Sequence, residues 1–181
     1  MNLIAAIGSD DMAYEIIFFL HILGAIIGFG TVFLNGLYGQ QAVSRRGSEG
    51  AAISQANLAV SNVAEIFIYS VFVTGLLLGI MAKEGTGIEL SDAWLSAAML
   101  LFIIGLGISH GVLRPSVKKL DAALAADAAT DARASVSPDP AAPETSIDEL
   151  GKKVAAAGGI ENVIFVVILV LMVWKPGAGL G

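Results

Sequence analysis

Long apolar stretches alternate with short polar ones along this chain. Four stretches, 14–38, 58–81, 93–113 and 154–174, consist almost entirely of apolar and small residues. At a rise of about 1.5 Å per residue, each is long enough to cross about 30 Å of hydrocarbon as a helix. A lone strand could not satisfy its backbone hydrogen bonds in lipid. The pattern therefore predicts an all-α, polytopic four-helix membrane bundle that forms a single membrane domain over residues 1–181.

Composition supports lipid as the solvent and excludes several classes of protein. Of the 181 residues, 56% are hydrophobic and only 14% are charged, which excludes a soluble enzyme and a secreted globular domain. The chain has no cysteine, so thiolate metal sites and cysteine nucleophiles are excluded as well. A net charge of −6 disfavours nucleic acid as a partner.

Capping and helix-breaking residues mark the expected ends of the spans. Asp92 precedes the third span, and Pro115 is expected to end it. Ser146 and Glu149 form a capping box that is expected to start the fourth helix, which Pro176 ends.

The segment between the third and fourth spans is a low-complexity region. We expect residues 115–153 to form a solvated cytoplasmic loop. Residues 120–134 could form a weak helix, and the proline-rich stretch 135–145 favours an extended linker.

The positions of lysine and arginine predict the orientation in the membrane. Eight cations flank the connections that follow the first and third spans, and two lie at the opposite ends. The eight are Arg45, Arg46, Arg114, Lys118, Lys119, Arg133, Lys152 and Lys153, and the two are Lys83 and Lys175. Because cytoplasmic loops carry an excess of cations, we expect both termini outside a bacterial cytoplasmic membrane.

A seam of small and polar residues follows His21 along the first span. At spacings of three and four residues it contains Gly24, Gly28, Thr31, Asn35 and Tyr38. Such a seam lets another helix approach closely, or leaves a groove for a flat ligand. Both interpretations remain open for His21, Gly24 and Gly28.

Polar residues from all four spans fall at similar depths on the cytoplasmic side. Counted along the helices, Glu65 and Glu161 lie about 10 Å from that edge, and Asn35 and His110 about 5 Å. Arg114 follows His110 by one turn. These five residues are expected to form a polar cluster in the inner leaflet, either as structural hydrogen-bonding groups or as a functional site.

The two histidines are expected at different depths. His21 lies about 10 Å from the outer edge, roughly 15 Å from the level of His110. They therefore could not both bind one metal ion, although a single histidine could still bind a cofactor. The pattern assigns no catalytic residue and no metal-ligating cluster.

The sequence Leu20-His21-Ile22-Leu23-Gly24, early in the first of four spans, resembles a family of small uncharacterised bacterial membrane proteins. It is more distantly similar to the membrane domain of copper-resistance protein D and to HemJ-type protoporphyrinogen oxidase. The latter resemblance implies that His21 is a haem ligand, with haem b as the cofactor.

Three functions remain open at this point. The first is a non-enzymatic accessory or assembly component of the membrane, present as a homo-oligomer or as a subunit of a larger complex. The second is a haem- or metal-binding redox protein that uses His21. The third is a small proton-coupled transporter that uses Glu65 and Glu161.

Overall fold

Five α-helices account for nearly all of the described chain. The structure is a computed structural model and describes residues 12–82, 92–134 and 144–176. The helices are α1 (Met12–Arg45), α2 (Gly47–Met81), α3 (Ala93–Ile108), α4 (Arg114–Ala134) and α5 (Glu144–Trp174), with a π-helical turn (Ser109–Leu113) joining α3 to α4. Lys83, Gly177 and residues 135–143 of the predicted linker lie outside the described residues.

Four long helical segments are apolar enough to cross a membrane. They are Met12–Arg45, Gly47–Met81, Ala93–Arg133 and Ser146–Trp174. Large apolar side chains stand on their surfaces, among them Phe19 (62% exposed), Ile66 (68%) and Val173 (71%). Exposing such an apolar surface to water costs free energy, whereas contact with hydrocarbon avoids that cost. The predicted all-α four-helix membrane bundle is confirmed.

Pro115 does not end the helix of the third span, contrary to the expectation from the sequence. The π-helical turn Ser109–Leu113 directly precedes α4, and the Arg114 N–H donates to the Ser109 carbonyl. Proline lacks an N–H and its ring crowds the preceding turn of a regular helix. The wider π turn leaves room for the ring, so the chain remains helical through Pro115.

The contacts divide the chain into two compact units. The first unit comprises residues 1–30, 64–105 and 163–181, and the second comprises residues 31–63 and 106–162. Helices α1, α2, α3 and α5 contribute residues to both units.

The core of the first unit is aromatic. Phe29 stacks on Phe165 with ring centroids 4.4 Å apart, and Phe72 stacks on Phe102 at 5.5 Å. Gly24 and Gly28 bring α1 close to α2, because a Cβ on Gly28 would lie 3.0 Å from Ile68 Cγ1. This supports the helix-packing interpretation of the seam at these two glycines.

The core of the second unit depends on the segment that was expected to be mainly a loop. Leu120 and Leu124 of α4 are 3% and 0% exposed, and they pack with Ala42, Ile147 and Val154. Their spacing of four residues places both on one face of α4. The segment is therefore an amphipathic helix with a buried face, and α5 begins at Glu144, two residues before Ser146.

A very short turn joins α1 to α2 in the second unit. Arg46 and Gly47 both have positive φ (51° and 54°), which lets the chain reverse within two residues. The Gly47 N–H donates to Asp127 Oδ2 at 3.0 Å, and Arg46 pairs with Asp148 at 2.6 Å. The turn is thus held by side chains of α4 and α5.

We expect Gly28→Leu to destabilise the protein by about 1–3 kcal/mol, because the new side chain would force α1 away from α2. Thermal unfolding in detergent micelles measures this. Gly36→Leu is the matched control, since a Cβ at Gly36 meets nothing within 4 Å. Equal losses of stability in both variants would show that the close approach at Gly28 is unimportant.

Candidate functional site

His21 is oriented by helix α2 within the first unit. Its Nδ1 lies 3.0 Å from the Val71 carbonyl oxygen and 3.1 Å from Thr74 Oγ1. A carbonyl oxygen can only accept, so Nδ1 carries the proton and donates. The Thr74 hydroxyl itself donates to the Ser70 carbonyl at 2.6 Å. Nε2 therefore holds the lone pair, and it has no hydrogen-bond partner among the described residues.

Gly75 provides the space in which the imidazole ring lies. A Cβ at this position would approach His21 Cε1 to 2.9 Å, which is closer than real contacts allow. The ring edge thus packs directly on the backbone of α2. Together with the two hydrogen bonds, this contact fixes the plane of the ring.

An apolar cavity of about 570 Å³ adjoins His21. Its walls come from α1, α2, α3 and α5 of the first unit and are rich in aromatic and aliphatic side chains. They include Tyr14, Phe18, Phe29, Phe72, Phe102, Met99, Met172 and Leu169. The imidazole of His21 and the ammonium group of Lys175 are also part of this lining. The volume is typical of pockets that bind small molecules.

Lys175 and Trp94 lie together on the cavity wall. The Lys175 Nζ is 5.6 Å from the centroid of the Trp94 ring, a cation–π contact. Trp94 is only 4% exposed, so this ring is a fixed surface for the ammonium group. The sequence analysis placed Lys175 at the end of the bundle with few cations but did not indicate that it meets Trp94.

Glu161 is the most deeply buried ionisable side chain in the second unit, with 1% of its surface exposed. It hydrogen bonds with Ser109, and His110 is near enough to interact with its charge. Its Oε2 has no hydrogen-bond partner within the described ranges. Ser109 and His110 both lie in the π-helical turn, so this irregular turn contributes both polar neighbours of the carboxyl group.

The other residues of the predicted inner cluster each have a polar neighbour. Asn35 Oδ1 accepts from Ser61 at 3.1 Å, and Arg114 contacts Asn62 Oδ1 at 3.4 Å. In the first unit, the Tyr69 hydroxyl donates to Glu65 Oε1 at 2.9 Å.

The structure thus brings Glu161 and His110 together, and it assigns Glu65 to a different unit from the other four residues of the cluster. A single layer formed by all five stays a prediction. Ser109 was missed by the sequence analysis, because a lone serine at the end of an apolar span is common and carries no distinguishing pattern.

We expect Glu161 and Ser109 to be energetically coupled. A double-mutant cycle of Glu161→Leu and Ser109→Ala should give a coupling energy of about 0.5–1.5 kcal/mol in detergent unfolding, the usual range for one hydrogen bond. The control cycle pairs Glu161→Leu with Ser61→Ala, which bonds Asn35 instead, and should be additive. Strict additivity in the first cycle would show that the hydrogen bond adds nothing to stability.

Comparison with known proteins identifies a family but no better-characterised relative. No curated protein and no solved structure matches the chain. The more distant similarity to copper-resistance protein D and to HemJ stays a prediction. A family model described as "Predicted integral membrane protein (DUF2269)" matches residues 15–176. The chain, with its four membrane helices, belongs to the DUF2269 family of integral membrane proteins.

Proposed function

We propose that this protein is a non-enzymatic membrane component that binds a membrane-soluble molecule in the cavity of its first unit. The observation that carries the proposal is the cavity itself, about 570 Å³ in volume and lined almost entirely by apolar side chains. A well-packed helical core has few voids larger than a water molecule. A space of this size supports a binding site more than it supports a packing defect.

The distribution of polar groups supports a binding role. Ligand sites are mostly apolar, with a few fixed polar atoms that set the orientation of the ligand. His21 provides such an atom, because its ring is held by Val71, Thr74 and Gly75 while Nε2 remains available as an acceptor. An immobilised side chain lowers the entropy cost of binding.

A second candidate is a haem- or metal-binding protein that uses His21. Histidines that ligate metals usually donate their other ring N–H to a carbonyl or carboxylate, as His21 does to Val71. The aromatic lining would suit a porphyrin, and Met99 or Met172 of the same lining could supply a second ligand.

Proton-coupled transport is a third candidate, favoured by the burial of Glu161 and its unpartnered Oε2. Intramembrane carboxylates often mark proton pathways. Glu161 and Glu65 belong to different units.

We expect the purified protein to be colourless and to retain an organic-extractable molecule, which Ala25→Phe should reduce several-fold because it fills the cavity. Mass spectrometry of solvent extracts measures this. The matched control is Ala156→Phe, at an exposed position of α5 outside the lining. Equal retention in both variants would overturn the binding proposal. A Soret absorption band that His21→Ala removes would establish the haem candidate instead.

We also propose that the cation-rich connections face the cytoplasm and that the protein resides in the cytoplasmic membrane. Support comes from the asymmetry of lysine and arginine along the chain. The α1–α2 turn carries two of these cations, Arg45 and Arg46.

Because the chain lacks cysteine, a single introduced thiol reports its own side of the membrane. In intact cells, an impermeant maleimide should label Ala93→Cys at the start of α3. Ser48→Cys, at the start of α2, should react only after the cells are permeabilised. Both positions are exposed. The reverse pattern of labelling would invert the proposed orientation.

A further inference from the structure

The residue directly after helix α5 has a conformation that lysine rarely adopts. Lys175 has φ of 43° and donates its N–H to the Leu171 carbonyl at 2.9 Å. Glycine is the usual residue at such a left-handed helix end, because a Cβ is strained there. The following Pro176 favours extended backbone at position 175, which adds to the mismatch. The fold thus keeps a lysine where glycine would be more stable.

The strained position places the ammonium group beside the cavity. Lys175 Nζ lies 5.6 Å from the Trp94 ring centroid, and both residues belong to the cavity lining. The ion pairs of the described chain involve Arg45 and Arg46, so none of them neutralises Lys175. Among the described residues Lys175 therefore has no ion-pair partner, and a cation on an otherwise apolar wall attracts an anion.

The lining extends away from Lys175 as a continuous apolar wall. Along α5 it runs back to Ile168, and along α3 it runs from Trp94 to Phe102. At about 1.5 Å per residue, these stretches give an apolar depth of roughly 10–12 Å. The combination of one cation with an apolar wall of this depth matches a molecule with one charged end and one alkyl chain.

We propose that the cavity binds a single-chain fatty acid, with its carboxylate at Lys175 and its alkyl chain along the wall between Trp94 and Phe102. This inference rests on the proposed binding function and names its ligand class. The cation–π contact with Trp94 holds the ammonium group in place before the ligand arrives. The carboxylate then forms a charge-assisted hydrogen bond with Lys175, while the chain replaces bilayer lipid against the apolar wall.

Quenching of tryptophan fluorescence tests the proposal. In a Trp174→Phe background, Trp94 is the remaining tryptophan of the chain. The protein is placed in nanodiscs of zwitterionic lipid at neutral pH and titrated with brominated dodecanoate or with the equally brominated dodecanol. We expect saturable quenching by both, with dodecanoate binding more tightly.

Variants of Lys175 separate the charge from the fold. Lys175→Gly should weaken dodecanoate binding about tenfold, equivalent to about 1.4 kcal/mol, and leave dodecanol binding unchanged. Its unfolding temperature should stay equal or rise, since glycine relieves the strained helix end. Lys175→Arg should retain the preference for dodecanoate. Ala25→Phe should abolish the binding of both probes.

Each contrary outcome identifies which statement fails. Equal affinity for dodecanoate and dodecanol, unchanged in Lys175→Gly, would overturn the fatty-acid inference but leave the cavity as a binding site. Tighter, Lys175-dependent binding of dodecyl phosphate than of dodecanoate would overturn the carboxylate in favour of a phosphate headgroup. Absence of saturable quenching by either probe would overturn the proposed binding function together with the inference.

Discussion

The need to satisfy every backbone hydrogen bond without water governs this structure. In hydrocarbon, an unpaired N–H or C=O group costs several kcal/mol by usual estimates, so the chain within the membrane must remain helical. The same constraint explains the π-helical turn at Ser109–Leu113. It carries the helix past Pro115, whose missing N–H would otherwise interrupt the hydrogen-bonding pattern.

Polar side chains in the membrane also need hydrogen-bond partners in place of water. The partners of each polar side chain therefore indicate its role. His21, Asn35 and Glu65 each have a defined hydrogen-bond partner within their own unit. Glu161 satisfies one side of its carboxyl group with Ser109 and leaves Oε2 unpartnered. Where partners are complete, a polar residue contributes to helix packing. Where an atom has no partner among the residues that the structure describes, as at His21 Nε2 and Glu161 Oε2, the residue could also bind a ligand or a proton.

Close packing and open space lie next to one another along helix α1. Gly24 and Gly28 allow α1 to contact α2 so closely that a Cβ would collide, which fixes the position of His21 against Val71 and Thr74. His21 also borders a cavity that aromatic and aliphatic side chains line. This arrangement supports the proposed binding function, because a rigid site lowers the entropy cost of binding a ligand.

The sequence by itself determined the four membrane helices, the polar character of the seam at His21 and the ionisable residues within the spans. It could do so because hydrophobicity and spacing are local properties of the chain. It did not predict the buried face of α4 at Leu120 and Leu124, since alanine-rich segments with few large apolar residues also fit a solvated loop. Nor could it predict that Lys175 meets Trp94, or that Ser109 meets Glu161. Those contacts join distant residues, and only the packing of helices against one another decides which faces come together.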